Sequence, residues 1–454
     1  MAVLGASTDP SKYGNQILQV LVTSGYRGKI YPINPKASEV FGLKAYPSML
    51  DVPGNVDLAL IAIPARITPQ AIHDCSLKKV KGAVVISAGF SEIGEDGKVL
   101  ERELVKEAQA AGIRIIGPNC FGIINTDPDV TLNAMPGSII ERVGPVGFVS
   151  QSGALAEAVV AWAQEQGIGF SKFVSIGNMC DVDFAEMMLY LADDPRTRVI
   201  TMYIEGVKDG RKFMHAAKSV TEKKPVIVLK AGRSTAATRA VVSHTGSLAG
   251  SDVVYDTAFK QSGVFRVNGI EELFDSARAM AMQSVPRTNH IGVISHAGGP
   301  LVLTCDSCET SGLILPDIAA NTKDGLRKIL PTYASVGNPT DVAADAPLER
   351  YNRALEIFCK DEKLDAIIAI LEGLTCGDGI LDQQKWPDVL GATLKASNKP
   401  CMVMWMFAQN RVTQGIQNFE KFGIPVYSSP ERVANAMRAL CTYGAYLADL
   451  KEGS

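Results

Sequence analysis

One alternation runs the length of this chain. Short β-branched runs of three to six residues are each followed by a longer amphipathic segment. A run apolar at nearly every position must be buried on both faces, and the segments between the runs supply the cover. The pattern therefore predicts parallel sheets wound with helices on both sides. Three blocks emerge. In residues 1–130 the predicted strands are Ala2–Leu4, Lys29–Ile33, Leu58–Ile63, Ala83–Ser87 and Arg114–Ile116, with helices around Ile17–Ser24 and Leu100–Ala111. In residues 140–285 they are Val146–Ser150, Lys172–Ile176, Val199–Ile204 and Val226–Lys230. In residues 289–454 they are His290–Ser295, Ala366–Leu371, Cys401–Trp405 and Pro425–Tyr427. The segment Met282–Asn289 holds Pro286 and little apolar periodicity, so it reads as a linker. The expected fold is α/β, with three successive doubly wound units. That number suits 454 residues at ~100–200 per domain.

Composition removes several classes of function. A net charge of −3 offers no broad attraction for nucleic acid or anionic lipid, so any anion site must be local. No apolar run reaches the ~18–20 residues of a membrane span. The opening Met1–Gly5 reads as a strand rather than a signal peptide. A cytoplasmic location is expected. The nine cysteines are scattered through apolar stretches and are expected to be reduced, the Cys305/Cys308 pair included. No metal site is expected, because no second Cys or His pair is suitably placed.

Function must then lie at the carboxyl ends of the strands, where such sheets bind ligands. The first strand ends in Gly5-Ala6-Ser7-Thr8 before a helix, a turn whose amides favour phosphate. The dinucleotide pattern G-x-G-x-x-G is absent. The second strand ends in Asn34-Pro35-Lys36, where an NAD site would place an acid for the ribose. Lys36 reads either as a cation for a phosphorylated ribose or pyrophosphate, or as a solvated surface lysine. In the second block, Ser150-Gln151-Ser152-Gly153 joins a strand to a helix, placing Ser152 and Gly153 where free N–H groups can hold an anion. Gly298-Gly299 occupies the like position in the third block. The small-residue segment 231–251 presents Ser243-His244-Thr245-Gly246, His244 being one of only five histidines, and Glu205 closes the strand that begins at Val199.

Taken together these motifs resemble the succinyl-CoA synthetase α subunits and their ADP-forming acetyl-CoA synthetase relatives. Ile116–Gly122 (IGPNCFG) is close to the family's IGPNC-x-G, and SHTGSLAG resembles its phosphohistidine loop. Gly337–Val342 and Arg350-Tyr351 match its NP-x-D and RY motifs, which belong to a third domain found in the acetyl-CoA type. His296 stands where relatives usually carry Asn. The resemblance implies a Rossmann-like CoA-binding domain followed by two flavodoxin-like domains. It implies that Gly5, Ala6, Ser7, Lys36, Pro64, Ser87, Gly89, Asn119 and Cys120 line the CoA groove. His244 would carry a phosphoryl group, Glu205 would orient it, and Ser152, Gly153, Gly298 and Gly299 would bind phosphate. The reaction implied is acyl-CoA + phosphate + ADP ⇌ acid + CoA + ATP, with a small carboxylic acid as substrate. No ATP-grasp domain or Walker motif is found. ADP/ATP and Mg²⁺ are therefore expected on a β subunit or fused ATP-grasp domain, in an α2β2-type hetero-oligomer. Two rivals remain at this point: a non-catalytic CoA-sensing or regulatory module, and an NAD(P)-linked dehydrogenase.

Overall fold

The structure, a computed structural model, describes residues 1–137, 139–140, 142–239, 251–373, 375–376, 379–380, 382–406 and 413–452. It falls into two compact units, Met1–Asn268 and Gly269–Ser454. The first unit holds two large sheets and the second holds one.

The first sheet has five parallel strands in the order Tyr31–Ile33, Ala2–Leu4, Leu58–Ile61, Gly82–Val85, Arg114–Ile116. Ala2 and Leu4 belong to one buried cluster, with Ile61, Ile72 and Leu104, while Val3 belongs to another, with Ile17, Leu18 and Leu60. Both faces are therefore core, as the unbroken apolar runs require. The second sheet has seven strands, in the order Phe265–Val267, Val226–Lys230, Val199–Ile204, Val143–Ser150, Phe170–Ser175, Ile123–Asn125, Leu132–Ala134. The first five are parallel, and the last two add an antiparallel edge. The third sheet is parallel: Thr340–Asp341, Ile291–Ser295, Ala366–Glu372, Cys401–Met406, Val426–Tyr427.

Numbering the parallel strands of each sheet along the chain gives the same order three times, 2-1-3-4-5. Strands 1 and 3 are neighbours in every case. Beyond their carboxyl ends the connecting loops diverge, which is where a doubly wound sheet opens a crevice.

Every strand expected from the sequence is present, within three residues at either end. The edge Ile123–Ala134 was not anticipated. It continues from the Ile116–Gly122 motif and ties the first sheet to the second inside one unit. The helix Ile270–Met282 groups by its contacts with the second unit. There Asp275 is buried against Arg432 (2.7 Å) and Glu272 pairs with Arg438 (2.6 Å), both on the helix Pro430–Glu452. A pairing across more than 150 residues leaves no trace in local periodicity. Cys305 and Cys308 lie within the helix Gly298–Thr310 as free thiols. Among the described residues, no helix is long and apolar enough to cross a membrane.

The first turn is built on contact between backbones. Gly5 has φ +88°, and a side chain there would meet the Ala62 carbonyl at 2.2 Å. Gly14, in the helix Tyr13–Thr23, lies so close to this turn that a Cβ would be 2.0 Å from the Gly5 carbonyl oxygen. Gly14→Ala must therefore push the helix off the turn. The expected cost is roughly 1–3 kcal/mol in urea unfolding, with weakened CoA binding in calorimetry. A second buried feature belongs to the second sheet. Lys172, on the strand Phe170–Ser175, and Asp194, 6% and 9% exposed, pair at 3.0 Å, and Thr197 also donates to Asp194. Lys172→Met strands a buried carboxylate and should cost about 3–5 kcal/mol by the same measurement, with CoA binding unchanged.

Candidate active site

The crevice of the first sheet is a cavity of about 640 Å³ lined by Gly5, Ala6, Ser7, Tyr13, Asn34, Ile63, Ser87 and neighbours. Its floor is held by side-chain amides. Asn34 donates to the Ala6 carbonyl (2.7 Å) and accepts from the Lys36 and Ala37 amides; Asn15 donates to the Ser7 carbonyl (2.8 Å). Of the residues expected to hold CoA, Gly5, Ala6, Ser7 and Ser87 line this cavity. Lys36 is exposed just beyond Pro35, and Pro64 is exposed just beyond Ile63. Gly89 and Asn119 lie farther along, linked through Glu92 and Asn178. The Gly89 amide donates to Glu92 (2.6 Å), which accepts from Asn178 (2.6 Å), which in turn accepts from Asn119 (3.4 Å). Cys120 is not among the residues lining the cavity. It is 5% exposed, its thiol donates to the Val85 carbonyl (3.2 Å), and burial pushes it up to about 12. Such a thiol packs rather than reacts.

From the cavity a chain of contacts leads to the second sheet. The Tyr13 and Phe121 rings meet edge to face, 6.3 Å apart. A Cβ at Gly153 would lie 3.3 Å from the Phe121 Cβ, and the Phe121 amide donates to Ser175 (2.9 Å). Gly153 begins the helix Gly153–Glu165, with Ser152 as its N-cap accepting from the Leu155 amide. A helix N-terminus with free amides thus stands beside the end of the first cavity, a position suited to an anion.

At the neighbouring strand end Glu205 is 6% exposed. Tyr203, two residues back and hence on the same face, is hydrogen-bonded to it. Burial, then the Glu205 charge, push the Tyr203 phenol up to about 12, so it stays protonated. Lys230 closes the next strand, in register with Ile204, and its ammonium lies 4.4 Å from the Tyr255 ring centroid. Burial lowers the Lys230 pKa, while Asp252 and Glu205 oppose that shift. The result is a buried acid flanked by a neutral donor and a cation. His244, with residues 240–250, lies outside the described residues.

In the second unit, Gly298 and Gly299 are exposed at the start of the helix Gly298–Thr310. The family motifs around them are mainly structural. Asn338 accepts from the Val293 amide and donates to the Ile291 and Pro316 carbonyls; the Tyr351 hydroxyl bonds the Ile294 and Ile370 carbonyls. His296 is 3% exposed, its nitrogens have no hydrogen-bond partner among the described residues, and burial lowers its pKa.

Sequence reasoning did not single out Asn34, Tyr203, Gln151 or Phe121. Tyr203 could have been found, since i and i+2 share a face of a strand. Asn34 makes a local Asx turn with the Lys36 and Ala37 amides, but its bond to Ala6, like the contacts of Gln151 and Phe121, joins distant segments that no local pattern encodes.

The sequence matches the CoA-binding domain family over residues 1–126, the succinyl-CoA ligase like flavodoxin domain over 143–280 and the ligase-CoA domain over 291–428. It is 45% identical over 442 residues to the alpha subunit of ADP-forming acetate–CoA ligase II of Pyrococcus furiosus, covering 97% of this chain and 95% of that one. It is 40% identical over 446 residues to ADP-forming acetate–CoA ligase I of Archaeoglobus fulgidus, covering 98% of this chain and 62% of that protein. The fold is similar to the dinucleotide-forming acetyl-coenzyme A synthetase 1 of Ca. Korarchaeum cryptofilum, solved with phosphate and ADP (TM-score 0.89, 36% identity, 99% of this chain and 97% of that one). With three family domains in order and relatives matched over nearly their whole alpha subunit, the chain belongs to the ADP-forming acetate–CoA ligases, acid–thiol ligases of the acyl-CoA synthetase class.

Proposed function

We propose that this chain is the α part of an ADP-forming acyl-CoA synthetase that passes a phosphoryl group from an acyl phosphate to His244 and on to ADP. The observation that carries the reading is the continuity from cavity to helix start: Tyr13 lines the cavity, touches Phe121, and Phe121 packs on Gly153. A CoA thioester lying in the first crevice would bring its carbonyl toward amides that can hold phosphate. Gly5, Ala6, Ser7 and Ser87 would face the nucleotide, with Lys36 and Pro64 at the rim.

Phosphate oxygen attacks the thioester carbonyl, the C–S bond breaks, and CoA leaves as a thiol after taking a proton. The amides at Ser152–Gly153 stabilise the oxyanions. A His244 nitrogen then attacks phosphorus, and the P–O bond to the acyl group breaks, releasing the carboxylate. Glu205 orients the imidazole and balances the charge it gains. Gly298 and Gly299 offer a second anion-binding helix start. ADP and Mg²⁺ belong to an ATP-grasp partner, separate or fused, in an α2β2-type assembly in the cytoplasm. The substrate is a small carboxylic acid, as the names of the relatives suggest. A CoA sensor would have no use for a buried acid at the switch point of the second sheet.

Calorimetry with the full chain should show CoA binding and little for NAD; NAD binding without CoA binding would overturn the cavity assignment. Labelled phosphate with acetyl-CoA should place an acid-labile, base-stable mark on the chain, as a phosphoramidate requires. His244→Asn should abolish both the mark and turnover with the partner, whereas Glu205→Gln should lower turnover by ~10²–10⁴-fold. Normal turnover by His244→Asn would falsify the mechanism.

A further inference from the structure

The second and third sheets build the same turn after strand 1. The Ser150 hydroxyl donates to the Ser152 carbonyl at 2.7 Å, and the Ser295 hydroxyl donates to the Ala297 carbonyl at 2.9 Å. One residue lies between each pair, Gln151 in the second sheet and His296 in the third. Strand 3 also ends alike, in Ile204-Glu205-Gly206 and in Leu371-Glu372-Gly373. The same two positions therefore meet at both switch points, yet they are used differently. Gln151 Oε1 accepts from the amides of Glu205 (2.9 Å) and Gly206 (3.0 Å), and the Tyr255 hydroxyl accepts from the amide of Val207 (3.2 Å). Three successive amides beyond the strand are taken by two side chains. In the third sheet His296 accepts from no strand-end amide among the described residues; its ring lies instead against the backbone of Ile370 and Glu372, which raises its pKa against the effect of burial, and the Glu372 side chain is exposed. Among the described residues the clamp thus accompanies the buried acid and is not seen where the acid lies in solvent.

We propose that Gln151 is a positioning residue that sets the main chain at Glu205 and acts on phosphoryl transfer through it. The proposal rests on the reading of Glu205 as the partner of His244. A carboxylate that steers an imidazole must be held to within ~0.5 Å. A main chain with two amides unpaired would let it drift, and ~1 Å of drift can cost ~10²-fold. Gln151 touches no reacting atom in this account. Its oxygen fixes the strand end from which Glu205 projects, while Tyr255 fixes the next residue from the helix Asp252–Gln261.

The test uses the full chain with its ATP-grasp partner. Gln151→Met keeps the length of the side chain and removes the acceptor. Its kcat should fall roughly 10–100-fold, with KM for acetyl-CoA and phosphate within about twofold, as expected when only transition-state placement is lost. The discriminating measurement is the double variant. Gln151→Met combined with Glu205→Gln should be no slower than Glu205→Gln alone, because one residue works through the other. Additive losses, or normal kcat in Gln151→Met beside an impaired Glu205→Gln, overturn the clamp and leave the Glu205 reading standing. A silent Glu205→Gln overturns both. Melting followed by circular dichroism checks folding. If the Met variant fails to fold, Gln151→Asn, the same amide one methylene shorter, replaces it with the same expected loss.

Discussion

A right-handed crossover can leave the first strand of a parallel sheet toward either face. Where the chain stops building to one side and starts building to the other, consecutive loops part and leave an opening that no side chain fills. This chain makes that switch three times between strands 1 and 3, and the proposed chemistry is placed by it. The first opening is the 640 Å³ cavity. The second pairs a helix N-terminus with a buried acid at the next strand end, and the third repeats the helix start with the acid exposed.

Two of these openings are coupled because the chain between them is not a free linker. Ile116–Gly122 leaves the first sheet and Ile123–Ala134 joins the second as an antiparallel edge. Phe121 is thereby held between Tyr13 of the cavity and Gly153 of the helix start. Asn178 reinforces the junction from the second sheet by bonding Glu92 and Glu101 of the first. A relay from a thioester to a phosphate needs two sites at a set distance, and a shared structural edge supplies it better than an open hinge.

The acid at the second opening would be costly if it stood alone, since a buried carboxylate without partners loses its hydration. Tyr203 donates to it, the Lys230 ammonium contributes a favourable field, and Gln151 and Tyr255 fix the backbone beneath it. Lys230 is itself kept buried by the Tyr255 ring and the Ala231 carbonyl. Tyr255 therefore serves both neighbours, which couples the strand ends carrying the proposed partner and the start of segment 231–251.

Much of this was legible in the linear sequence. Period and length marked the strands, because a two-sided buried strand cannot tolerate polar residues. Gly5, Ser152 and Glu205 were readable as strand-end residues, because parallel sheets place their ligand loops there. The family motifs pointed to CoA, and His244, which they also single out, lies outside the described residues. Tertiary structure decided what depends on contacts between distant segments. It showed that the Cys120 thiol is buried against the Val85 carbonyl while Ser87 lines the cavity. It joined the helix Ile270–Met282 to the helix Pro430–Glu452 through Asp275 and Arg432. It also distinguished Gln151 from His296, two residues at like positions in like turns. In the second sheet that side chain accepts from the amides of the adjacent strand end, while among the described residues His296 lies against the backbone of Ile370 and Glu372 without accepting from an amide, and such reach is a property of three-dimensional register rather than of any spacing along the chain.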